Sequence, residues 1–154
     1  MALGGGLPAL ALLYALGSLH SSFAADQDTL LAREHSSLEA VCGKCHSLQL
    51  VMDTPMGYDN WYETVQKMVD QGARGTDEQF DDIMDYLHRT MTTIDANKAD
   101  ADELEFVLNV PEAVARSIIA RRSTRKFTDL ADLKSVPGLD GPTLDRKARL
   151  IFFQ

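Results

Sequence analysis

The sequence predicts an all-α fold, and three observations carry that expectation. Apolar residues recur at three- and four-residue intervals in three separate stretches between residues 28 and 92. No stretch alternates apolar with polar residues as a half-buried strand does, and the last third reads twice as helix, tight bend, helix. Each element has a local cause.

The opening stretch, MALGGGLPALALLYALGSLHSSFAA, holds no acid. Its apolar run, residues 7–19, is shorter than the roughly 20 residues of a membrane span and suits the core of a secretory signal. Ser22, Phe23 and Ala24 place small residues where a signal peptidase reads, so cleavage is expected after Ala24 or Ala25. Residues 1–25 are therefore expected to be a signal peptide, the mature chain to be periplasmic or secreted, and no stable membrane span to remain after cleavage.

From residue 28, Leu30, Leu31, Leu38 and Val41 follow helical spacing up to Cys42. Residues 55–60, PMGYDN, read as a loop. Asn60 is a suitable N-cap for a second helix, on which Trp61, Val65, Met68 and Val69 share a face. The GARG stretch at 72–75 ends it. Thr76 caps a third helix, with acids at the positive end of the helix dipole and an apolar stripe of Phe80, Ile83, Met84 and Leu87.

Composition then changes. Residues 26–97 hold fourteen acids against five bases, while residues 98–154 hold nine against ten, which suggests a domain boundary near residue 97. The whole chain carries −8, which argues against wholesale binding to nucleic acid or anionic membrane. Two helix-bend-helix units fill the tail, with LNVP (108–111) and VPGLDG (136–141) as the bends. Neither unit could bury its apolar face alone, so the two are expected to pack together.

The chemistry concentrates in VCGKCH, residues 41–46, where Cys42 and Cys45 are the chain's two cysteines. Three readings compete. A structural zinc site would need further ligands, and the other histidines are His20, His35 and His88. A thioredoxin-like pair expects a βαβ setting that this helical region lacks, and a plain disulfide is the bland alternative in an exported chain. The third reading is covalent haem c, for which C-x-x-C-H is the attachment motif: both sulfurs add to haem vinyl groups and the adjacent imidazole, His46, becomes the proximal iron ligand.

Residues 26–96 resemble small class I c-type cytochromes. The likeness rests on Cys45-His46-Ser47-Leu48, the Trp-led helix from Trp61 to Met68, and Tyr86-Leu87 in the last helix. It implies one covalent haem and a methionine as sixth ligand, which raises the potential. Such cytochromes place that ligand where Met68 stands; Met56 is the alternative, and Met68 also suits a buried stripe beside Val65 and Val69. Met84 is most economically core, Met91 lies at a helix end, Met52 follows the motif closely, and a His pair through His35 or His88 is disfavoured.

Residues 97–154 resemble the tandem helix-hairpin-helix domain of competence DNA receptors of the ComEA type, through KADADELEFVL, SIIARR and FTDLADLKSVPGLDGPTL. DNA-binding members offer a backbone nest to a phosphate at each Pro-Gly-hydrophobic-Gly bend. Here Pro111, which has no N–H, stands where the second glycine of the first bend belongs. Asp140 brings a carboxylate to the second bend, and Gly141 comes one place late. Arg121, Arg122, Arg125 and Lys126 cluster, with Asp129 and Asp132 close by. DNA contact is thereby disfavoured against a structural or docking role.

The expectation is a class I cytochrome c domain followed by a tandem helix-hairpin-helix domain. It would be an electron carrier and not an enzyme, meeting redox proteins that carry basic docking patches.

Overall fold

The computed structural model describes the backbone from residue 10 and side chains from residue 26. The export segment expected at 1–25 lies outside the residues described in full. The chain divides into two compact units, Met1–Arg33 and Glu34–Gln154, and the second holds every residue that builds the candidate site. Among the described residues are eight α-helices and one two-stranded parallel sheet. None of these helices is long and apolar enough to cross a membrane.

Two apolar cores sit side by side in the second unit. The first is built on the end of α1 (Leu10–Cys42), where Glu34, Ser37, Leu38 and Val41 are buried at the spacing of one helix face. Leu31, expected on that stripe, is exposed. The facing helix is α4 (Asp77–Thr90), which buries Asp82, Ile83, Tyr86, Leu87 and His88. Polar side chains pin the pair: the Ser37 hydroxyl donates to Asp82 at 2.8 Å, and Arg89 lies 3.0 Å from both the fully buried Glu34 carboxylate and Asp85. A buried carboxylate stripped of its cation costs about 3–5 kcal/mol, so Arg89 is needed for this packing.

The α3 helix (Tyr58–Asp70) adds Trp61, 2 % exposed, to the first core. Its N-cap is Gly57, not the expected Asn60. The reason is non-local. Met56 is held by main-chain bonds to Met91 and Thr93, at 3.2 and 2.8 Å, so the chain is fixed just before Gly57 and turns into helix at once. The Thr76 cap is as expected and forms a reciprocal box with Gln79, an arrangement worth about 1 kcal/mol.

The second core belongs to the tail. Helices α5 (Ala101–Leu108) and α6 (Glu112–Thr124) form one hairpin, and α7 (Leu130–Lys134) and α8 (Gly141–Arg146) the other. Leu104, Val107, Leu108 and Ile118 of the first meet Leu133 and Leu144 of the second in a single cluster with Phe127. The bends work as their sequences suggest. Asn109 adopts the left-handed conformation, φ 55°, and Gly138 has φ 92°, where an added Cβ would lie 2.7 Å from Val114.

Ile94 and Ala96 also belong to this second core. The strand β1 (Ile94–Asp95) pairs in parallel with β2 (Ile151–Phe152), Ile94 opposite Ile151. The following residues are stapled to α6 and beyond: the Asn97 side chain exchanges two hydrogen bonds with the Phe127 backbone, at 2.8 and 2.9 Å, and Arg122 donates to the Ala96 and Ala99 carbonyls. No strand was legible in the sequence, because each has two residues and its partner lies over fifty positions away.

Candidate functional site

The Cys-x-x-Cys-His motif lies at the end of α1, in the turn that leads to the short helix α2 (Leu48–Met52). The Gly43 amide still donates to the Glu39 carbonyl at 3.1 Å. A Cβ added at Gly43 would sit 2.5 Å from that same carbonyl oxygen, so a glycine is needed for the chain to leave the helix here. Cys45 then donates its amide to Cys42 at 3.3 Å, closing a tight turn around the motif.

The two thiols are free and differently placed: Cys42 is half-buried against the first core and Cys45 is exposed. Burial, with Cys45 nearby as a second cause, pushes the Cys42 thiol up from its ordinary range. His46 is half-buried, and its Nδ1–H donates to the Ser47 carbonyl at 3.3 Å. That tautomer leaves the Nε2 lone pair available as a ligand. Ser47 in turn caps α2 by accepting from the Gln49 amide.

Half-buried apolar side chains rim the first core, against which Cys42 also packs: Leu48, Val51 and Met52 of α2, Met56, Val65, Phe80 and Met84. Helix α2 buries none of its residues fully, and Leu50 is 62 % exposed. Inside the core, the Trp61 indole N–H is buried and has no hydrogen-bond partner among the described residues. An unpaired buried donor costs about 1–3 kcal/mol, which marks this position as one that wants an acceptor. Sequence reading singled out Trp61 as a helix-face residue but gave no sign of its unsatisfied nitrogen.

The methionines separate by environment. Met91 is fully buried, and Met52, Met56 and Met84 pack against the first core. The Met56 sulfur also accepts from the Thr64 hydroxyl at 3.4 Å. Met68 is half-buried on the Trp61 face of α3 but is not among the side chains packed on that core. The two histidines weighed as alternative ligands are engaged in ring contacts: His35 meets Tyr86 edge-on at 5.3 Å, and His88 stacks on Tyr58 at 3.9 Å.

Among the described residues no three His, Cys, Asp or Glu side chains come together to hold a metal ion. A zinc site read from the motif would need its ligands about 2.0–2.3 Å from one point. Cys42, Cys45 and His46 are thus neighbours along a turn without converging on a chelated centre.

In the tail, the features that would receive a phosphate are largely used internally. Pro111 is the N-cap of α6. Asp140 is the N-cap of α8 and accepts from the Thr143 amide at 3.0 Å; its carboxyl is held below the usual range by the Thr143 hydroxyl and amide. Arg121 and Arg125 share the Asp132 carboxylate at 2.9 Å each, and Lys126 reaches the Gln154 carbonyl. Lys147 donates to the Val107 carbonyl, and burial, together with Arg89 and Arg146, lowers its pKa to about 8.

The sequence profile of the helix-hairpin-helix motif matches residues 90–151. The chain carries a helix-hairpin-helix motif. That match takes in both hairpins and the β1 strand that closes on β2. Neither a curated protein nor a solved structure matches the chain.

The contrast between the two thiols is directly testable. In the haem-free chain at mildly alkaline pH, iodoacetamide should modify Cys45 well before Cys42, because the thiolate is the nucleophile and Cys42 is both half-buried and harder to ionise. Equal rates by peptide mapping would contradict the placement of Cys42.

Proposed function

We propose that the chain is an exported c-type cytochrome that carries single electrons between redox proteins, with the helix-hairpin-helix half as a docking or structural module. The observation that carries this reading is the Cys42, Cys45 and His46 turn. Its two thiols are unbridged, as addition to two haem vinyl groups requires, and the imidazole follows the second cysteine directly. The half-buried apolar rim suits a flat apolar macrocycle, and the orphaned Trp61 N–H suits one of its carboxylates.

A haem held here would supply one-electron iron chemistry. The chain would attach it through Cys42 and Cys45, offer His46 Nε2 on one side, and exclude water with the rim. For the other side, Met68 is the favoured ligand. Its rivals are committed to the core, and Met56 already accepts from Thr64, whereas Met68 is half-buried without core packing. The excess of acids over residues 26–97 would steer partners with basic patches toward this half.

A second reading is supported by the helix-hairpin-helix match at residues 90–151, a motif that commonly contacts DNA. In it the tail binds nucleic acid and the haem is secondary. Pro111, the Asp140 cap and the internally engaged arginines weigh against it.

Each reading has its experiment. Met68→Ala in the haem-loaded protein should lose the low-spin spectrum and gain rapid CO binding in the ferrous state. An unchanged spectrum and potential would remove Met68 from the site. Titrating the full chain with duplex DNA at rising salt should give no steeply salt-dependent binding in the micromolar range; such binding would favour the second reading.

A further inference from the structure

The residues just before and within the first turn of α3 are shared between the two cores. Met56 packs its side chain on the first core, while Tyr58, two residues on, packs on the hairpin core. The Tyr58 ring stacks on His88 of α4 at 3.9 Å and lies 6.4 Å from Phe106 of α5, which also meets His88 edge-on. Three residues further, Trp61 is buried in the first core. Tyr58 and Trp61 point about 60° apart around the helix axis, so two side chains seated in different cores fix the rotation of α3.

That rotation matters for what α3 carries. Met68 follows Trp61 by seven residues, two helical turns on nearly the same face, and the Trp61 N–H is buried without a partner among the described residues. A helix transmits a twist at its start along its length. At an outer radius of about 5–6 Å, a rotation of about 20° moves a side-chain tip by roughly 2 Å, far beyond the roughly 0.2 Å tolerance of a metal–ligand distance.

We propose that Tyr58 is a positioning residue for the distal side of the haem site, setting the rotation of α3, and hence the place of Met68, from a seat in the hairpin core. This rests on Met68 as iron ligand, as proposed above. The helix-hairpin-helix half then has a role inside the redox site itself: it supplies the wall against which the distal helix is registered. The main chain supports the same seat, since Thr93 donates to the Met56 carbonyl at 2.8 Å and Ile94 pairs with Ile151 in the next two residues.

The test compares the haem-loaded full chain with Tyr58→Ala, Tyr58→Phe and Phe106→Ala. In Tyr58→Ala the ferrous form should bind CO at least about tenfold faster than the parent, the loss of about 1.4 kcal/mol of coupling. Phe106→Ala should move in the same direction, and Tyr58→Phe, which keeps the ring, should behave as the parent. A parent-like CO rate in Tyr58→Ala would overturn the proposal. So would a Tyr58→Phe rate as fast as that of Tyr58→Ala, because the hydroxyl and not the seated ring would then be responsible. Should Tyr58→Ala fail to fold, the rate in Phe106→Ala decides alone. Hydrogen exchange in the haem-free chain separates this proposal from the haem reading: α3 amides should lose protection in Phe106→Ala while the Glu34–Cys42 end of α1 keeps it, and unchanged α3 protection would overturn the positioning role whatever the chain binds.

Discussion

The structure depends on a short backbone junction, residues 56–58 against residues 91–94. Met56 is bonded on both sides to the strand-like segment that leaves α4, and that segment continues into the β1 pairing with Ile151. Three parts of the chain far apart in sequence are thereby joined: an isolated parallel bridge links the loop after α2 to the exit from α4, and the β1–β2 pair links that exit to the last residues. The junction contributes to the cores on both sides, Met56 and Met91 to the first and Tyr58 and Ile94 to the second. Tyr58 and His88, stacked across it, both meet Phe106 and so tie α3 and α4 to α5, the helix that opens the first hairpin.

The candidate site follows from how α1 ends. A buried polar clamp, Ser37 with Asp82 and Glu34 with Arg89, fixes the last turns of α1 against α4. Gly43 then lets the chain leave the helix so closely that Cys42 stays against the core while Cys45 and His46 come round outside it. In the proposed cytochrome this division is useful. One sulfur is anchored on the apolar side, the other is presented toward solvent, and the imidazole has its proton fixed by Ser47. Half-buried side chains of the rim, among them Leu48, Val51, Met52, Val65 and Phe80, would then be available to cover the group attached there.

Much of this was legible locally. Three of the four helices before residue 92, all but the short α2, follow from periodicity and turn chemistry, as do the Thr76 cap, the two bends with Asn109 and Gly138, and the shared hairpin core. What escaped was non-local. The start of α3 at Tyr58 depends on main-chain bonds from Met56 to residues 91 and 93, and the β1–β2 pair is too short to leave an alternating pattern. Charge read from sequence also misleads: Arg122, counted among a basic cluster, spends its guanidinium on the Ala96 and Ala99 carbonyls, and Arg121 and Arg125 share Asp132. Asp140, by contrast, was legible as a carboxylate at the second bend, and the structure gives it the specific task of capping α8. Leu31 carried the right periodicity but lies before the buried face, which begins at Glu34.

The most direct test of the central claim is the pyridine haemochrome spectrum of the full chain produced in an exporting host with haem-attachment machinery, read beside the intact mass of the same sample. One haem per chain, resistant to acid extraction, with the spectrum of two thioether linkages and no such product from Cys42→Ala/Cys45→Ala, is the predicted result. A chain recovered without haem under those conditions, with Cys42 and Cys45 joined as a disulfide, would contradict it.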